Sequence, residues 1–95
     1  MVQLTQKTSA QIALEIAQKI KTLRKLKGLT QNQLALKSGV SFASYKRFEQ
    51  QHEISFDSLI KIAIALDIEK DFDLLFQKKE YSSIQEVIAL QKRNK

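Results

Sequence analysis

The 95-residue chain contains no cysteine, no proline and no tryptophan, and only two glycines. Without cysteine there is no disulfide framework and no thiolate metal site, which fits a reducing interior. No apolar run approaches the roughly 18 residues that a membrane span needs. The opening "MVQLTQKTSAQ" has no cationic segment leading into an apolar run, so no signal peptide is expected. A single histidine, with no Ser–His–Asp set and no cluster of metal-ligating residues, gives catalysis nothing to work with. "KGLTQ" lacks the glycine spacing of a phosphate-binding loop. The expectation is one soluble intracellular domain that is not an enzyme and carries neither cofactor nor metal.

What the chain does have is positive charge, unevenly placed. The formal net charge is +6. Residues 19–50 hold eight basic side chains and one acid, Glu49, whereas residues 51–76 hold two basic and six acidic ones. The tail, 77–95, is basic again, with five cations against two acids. Basic charge gathered around one stretch is the footprint expected for a polyanion partner, although a solubilising surface would read the same way.

Periodicity is helical throughout, and no strand pattern or internal repeat is present. Ile12, Ile16, Ile20 and Leu23 recur at helical spacing, with Ala13 and Leu26 beside them, predicting a first helix over about 9–27. Gly28 stops it. Thr30 opens a Thr-x-x-Gln capping box for a second helix to about Lys37, which Gly39 ends. Ser41 is a suitable N-cap for a third helix reaching about 49 or 50. A fourth begins after Ser55, with Phe56, Leu59, Ile60, Ala63 and Leu66 on one stripe. Ile62 and Ile64 widen that apolar surface beyond what one buried face requires. "EKDFDLLF" predicts a short fifth helix offering Phe72, Leu75 and Phe76, its carboxylates reading as an exposed acidic surface. Ser83-x-x-Glu86 is a further capping box before Val87, Ile88 and Leu90, giving the tail a short helix.

At 100° per residue, Tyr45 and Phe48 fall on one side of the third helix, facing Leu34, Ala35 and Val40. Ala43, Lys46 and Arg47 fall on the opposite side, with Phe42 at its edge and Ser44 and Glu49 on the flanks. A plain amphipathic helix would also expose its cations. A helix held proud of the surface by a tight glycine turn, small at its centre and cationic toward its end, also meets the demands of a DNA major groove. Arg47 suits a bidentate pair to guanine, and Lys46 a base or a phosphate. Gln31, opening the second helix, sits where its amide and the free backbone N–H groups meet a phosphate. Phe42 either touches a thymine methyl or covers the turn.

The segment "IKTLRKLKGLTQNQLALKSGVSFASYKRFE" resembles the Xre, or Cro/repressor-type, helix-turn-helix family. The resemblance is carried by Leu23-Arg24, Gly28-Leu29-Thr30-Gln31, Leu34-Ala35, Gly39-Val40-Ser41, Phe48-Glu49 and "LIKIAIAL". It implies an all-α, five-helix Cro/repressor-like DNA-binding domain over 12–76, with the motif at about 30–50. Residues 1–11 form a lead-in, and 77–95 a short basic tail. It further implies a recognition helix over 42–49 whose Phe42, Ala43, Lys46 and Arg47 face bases, while Gln31, Ser41 and Ser44 meet phosphates or bases. Arg24 and Glu49 match a structural ion pair. The family usually has a glycine shortly after that glutamate, where this chain reads "EQQHEIS"; His52 is expected to take the left-handed turn instead.

The stretch "RFEQQHEISFDSLIKIAIAL" followed by "DFDLLF" is similar to HipB-like antitoxins. That finer resemblance implies a bacterial, cytoplasmic repressor acting as a homodimer on a double-stranded operator, with Ile62 and Ile64 at the dimer interface. It also implies a HipA-like kinase toxin as partner. The alternatives are a stand-alone phage-type repressor and a protein-binding helical adaptor without operator specificity.

Overall fold

A computed structural model describes residues 6–77. Each α-helix in it starts where the sequence supplies a hydroxyl. α1 (Ser9–Leu26) is capped by Thr8, α2 (Gln31–Ser38) by Thr30, α3 (Phe42–Gln51) by Ser41 and α4 (Phe56–Ala65) by Ser55. In every case the cap oxygen accepts an N–H that the first turn would otherwise leave unpaired. The Thr30–Gln33 capping box forms as expected, and Thr8–Gln11 forms a second one that the sequence reading passed over. Gly28 and Gly39 have φ of +71° and +76°, so both helix joints use the left-handed backbone that glycine adopts most cheaply. His52 takes the same conformation at the end of α3, with φ 64°. It fills the position where the family pattern has glycine.

The fifth element is a 3₁₀ helix over Glu69–Leu74, entered after Asp67 turns left-handed at φ 62°. Among the described residues there are four α-helices, this 3₁₀ helix and no strand. α2 packs on both α3 and α4, α1 on α3, and the 3₁₀ helix on α4. The common core is Ala17, Ile20, Leu34, Ala35, Val40, Tyr45, Phe48, Ile62, Ala65 and Leu66, with Leu23, Leu29, Ile54, Leu59 and Ile68 packed around it. Fully burying one such aliphatic or aromatic side chain contributes about 1.5–3 kcal/mol, so this cluster is the main force holding α3 in place.

Several apolar positions fall differently from the sequence expectation. Ile12 and Ile16 are 46% and 38% exposed, and Leu26 is 77% exposed. Full burial on α1 starts at Ala17; before it Ala13 and Leu14 are half-buried, and Ile16 borders a hollow lined also by Leu59, Ala63 and Phe72. On α4 the buried set is Ile62, Ala63 and Ala65, followed by Leu66, while Phe56 is 61% exposed and meets Phe72 edge-on at 5.9 Å. Phe72 is half-buried, and Leu75 and Phe76 are exposed. The tail capping box at Ser83 and Glu86 lies outside the described residues.

Candidate nucleic-acid interface

α3 is fixed to the bundle by one polar cluster as well as by its aromatics. Tyr45 is completely buried, Phe48 nearly so, and their rings meet edge-on at 6.1 Å. One turn beyond Tyr45, the Glu49 carboxylate gathers three donors. Arg24 of α1 donates through Nε at 2.8 Å and Nη2 at 3.2 Å, Gln31 of α2 donates through Nε2 at 2.8 Å, and the Tyr45 hydroxyl donates as well. Arg24 also donates through Nη1 to the Leu29 carbonyl at 2.7 Å, tying the α1–α2 turn into the same cluster. The Arg24 and Glu49 side chains are only 9% and 3% exposed. The ion pair expected from the resemblance is therefore present, and larger than expected.

Its electrostatics follow from that geometry. Burial pushes the Glu49 carboxyl up, but hydrogen bonds from Arg24, Tyr45 and Gln31 outweigh burial and hold it below the ordinary carboxylate range. The hydrogen bond to Glu49 raises Arg24 despite burial. Burial and then the hydrogen bond to Glu49 push the Tyr45 hydroxyl well above its usual value. The cluster is thus a carboxylate, a guanidinium and a neutral phenol. The acid of α3 is hidden and neutralised by its partners, so the exposed charged side chains of the helix, Lys46 and Arg47, are both cations.

That outward side carries the remaining predicted residues. Ala43, Ser44, Lys46 and Arg47 are exposed, and Phe42 is 44% exposed. Lys46 Nζ lies 6.0 Å from the centre of the Phe42 ring, so the two side chains lean together across the first turn. The Ser41 hydroxyl accepts from the Ser44 backbone N–H at 3.1 Å and donates to the Ser44 hydroxyl at 2.8 Å. Its first duty is therefore to cap α3. Gln31 is half-buried with its amide on Glu49, which turns that side chain toward the protein and leaves the start of α2 to its backbone N–H groups. Ile62 is completely buried, so it has no surface to offer a second subunit, contrary to the sequence expectation; Ile64 is 54% exposed. The correction follows from helical phase, because Ile62 shares the core-facing side of α4 with Leu66.

Two residues that sequence reasoning missed meet Arg47. Its Nε donates to Gln51 Oε1 at 3.3 Å, and its Nη2 donates to Glu53 Oε1 at 2.5 Å. The Gln51 contact carries a signal in the sequence, the i,i+4 spacing of a helix. Glu53 carries none, since its approach depends on the left-handed His52 turning the chain back beside α3. Ser44, Arg47, His52, Glu53, Ile54, Ser55 and Ser58 together line an open concavity between α3 and α4.

Among the described residues, no group of three or more histidine or acidic side chains could hold a metal ion, and no helix is long and apolar enough to cross a membrane. Comparison with known families matches residues 20–72, more than half of the chain, to the helix-turn-helix family. Comparison with curated proteins finds no match.

Proposed function

The chain belongs to the helix-turn-helix family of DNA-binding transcriptional regulators, and from that premise we propose that it is a sequence-specific repressor reading its operator with α3. The observation that carries this reading is the outward side of α3, which exposes Ala43, Ser44, Lys46 and Arg47 while the helix's one acid is buried against Arg24. Small residues let the helix settle into a groove about 12 Å wide, and the cations behind them meet guanine edges and phosphates. The N-terminal backbone of α2 and the first turn of α3, near Ser41, supply phosphate contacts that set register. The operator-binding form is a homodimer, with two copies of α3 in successive major grooves about 34 Å apart. Bound there, it excludes polymerase.

The test is selection of duplexes from a random-sequence pool, followed by affinity measurements on single-base variants of the selected site. Arg47→Ala should lose about 1–3 kcal/mol at one base position and relax specificity there. Lys46→Ala, if the lysine meets a phosphate, should weaken all sequences alike. Failure to enrich any sequence would remove operator reading and leave a protein-binding adaptor.

A narrower reading, a HipB-like antitoxin that also binds a kinase toxin, draws support from the exposed apolar side chains Leu74, Leu75 and Phe76. They offer a protein partner a surface remote from any base-reading role. This reading requires a kinase-like protein that co-purifies with the chain and is encoded beside it.

A further inference from the structure

We propose that Glu53 and Gln51 are positioning residues for Arg47, holding its guanidinium end-on to the base it reads. The inference rests on the reading of α3 as the base-reading helix. Arginine has five N–H donors in a planar fork, with two edges that can each make a bidentate pair. In this structure Gln51 and Glu53 occupy the edge formed by Nε and Nη2. Nη1 has no hydrogen-bond partner among the described residues, so the end-on edge, Nη1 with the second proton of Nη2, remains open. That edge is sufficient to donate to O6 and N7 of one guanine, and the two contacts already made need not break when it does.

The arrangement acts on specificity through two opposing effects. Arg47 is an exposed, rotamer-rich side chain, and a guanidinium already fixed on one edge loses less freedom on meeting a guanine. The same fixation keeps the side chain from swinging to whichever phosphate is nearest, so Arg47 adds little to binding on unrelated sequence. Glu53 also places a carboxylate beside the DNA-facing surface, where an unpaired acid would repel phosphates. Paired with Arg47 it does not. The acid and the amide therefore favour operator over random DNA without touching a base.

The test uses the full chain, the duplex selected by the wild type and a shuffled duplex of equal length. Glu53→Gln should weaken the selected duplex and strengthen the shuffled one, each by roughly two- to fivefold, the range that an exposed ion pair spans. The guanine preference that Arg47→Ala abolishes should soften, and the salt slope on the shuffled duplex should steepen by up to about one unit as Arg47 turns to phosphate. Gln51→Ala should act in the same direction. In an Arg47→Ala background, Glu53→Gln should no longer change base preference. If Glu53→Gln strengthens both duplexes equally and keeps the guanine preference, Glu53 is only a repelling charge and the positioning role is overturned. If the wild type selects no duplex at all, it is the underlying reading of α3 that fails instead.

Discussion

At the scale of single residues, most depends on Glu49. Its carboxylate joins α1, α2 and α3 through Arg24, Gln31 and Tyr45, so one side chain ties α3 to both helices it packs against. Truncation to alanine would leave a buried guanidinium without its partner, and breaking a buried pair from one side costs about 3–5 kcal/mol. Against a total of about 5–15 kcal/mol for a domain, Glu49→Ala should lose much of the stability measured by urea unfolding. The same cluster sets the pH dependence. The folded pKa of Glu49 lies below its ordinary value of 4.5, so its contribution is complete above that pH and is lost as pH falls through the folded value. Tyr45 is shifted the other way: its contribution is complete below its ordinary value of 10.0 and fades as pH rises toward the higher folded one. Stability should therefore be level between about pH 5 and 9 and fall on both sides. Tyr45→Phe should remove the alkaline fall that belongs to this group, and a wild type whose alkaline limb matches the variant's would show that the phenol contributes nothing there.

Among the elements, the exit from α3 departs furthest from the family pattern. His52 closes the helix at φ 64° and ψ 31°, a left-handed conformation that costs a residue with a Cβ about 1–2 kcal/mol and glycine almost nothing. Glycine also loses more freedom on folding, so His52→Gly should gain only part of that difference, up to about 1 kcal/mol in urea unfolding. A loss would mean that the imidazole makes a contact worth more than the strain. This turn was legible from "EQQHEIS" together with the family pattern. The caps at Thr30, Ser41 and Ser55 were legible too, as were the joints at Gly28 and Gly39 and the inward direction of Tyr45 and Phe48, because each depends on local residue chemistry or on helical phase. What was not legible depends on what lies overhead. Ile12 and Ile16 repeat at core spacing but remain 46% and 38% exposed, ahead of the first buried residue of α1, and Phe56 starts α4 outside the core. Ile62 and Ile64 look alike as surplus apolar surface until the packing of α4 separates one from the other. The contact between Arg47 and Glu53 spans the His52 turn, whose direction no periodicity specifies.

For the whole molecule, the question is whether one ten-residue α3 suffices for the operator reading proposed above. A single small DNA-binding module buries about 600–1,000 Å², whereas specific complexes commonly bury about 1,000–2,500 Å². Two copies close that gap and double the number of base positions read. Ile64 is the residue of the expected dimer pair that still has surface to contribute. It is 54% exposed on α4 and borders a hollow shared with Lys37, Ser38, Lys61 and Ala65. Because its side chain is outside the core, Ile64→Asp should leave the helical content intact and, at concentrations where both chains are monomeric, the unfolding free energy within about 0.5 kcal/mol of wild type, the usual range for surface substitutions. If two copies meet across α4, the variant should sediment as a monomer at concentrations where the wild type is dimeric. It should also bind the full operator with the affinity of a half-site, because the second α3 is no longer tethered to the first. A wild type that sediments as a monomer and protects only one half-site would exclude the dimer. An Ile64→Asp variant that remains dimeric would instead move the contact to other apolar side chains such as Leu74, Leu75 and Phe76, exposed by 60%, 46% and 90%.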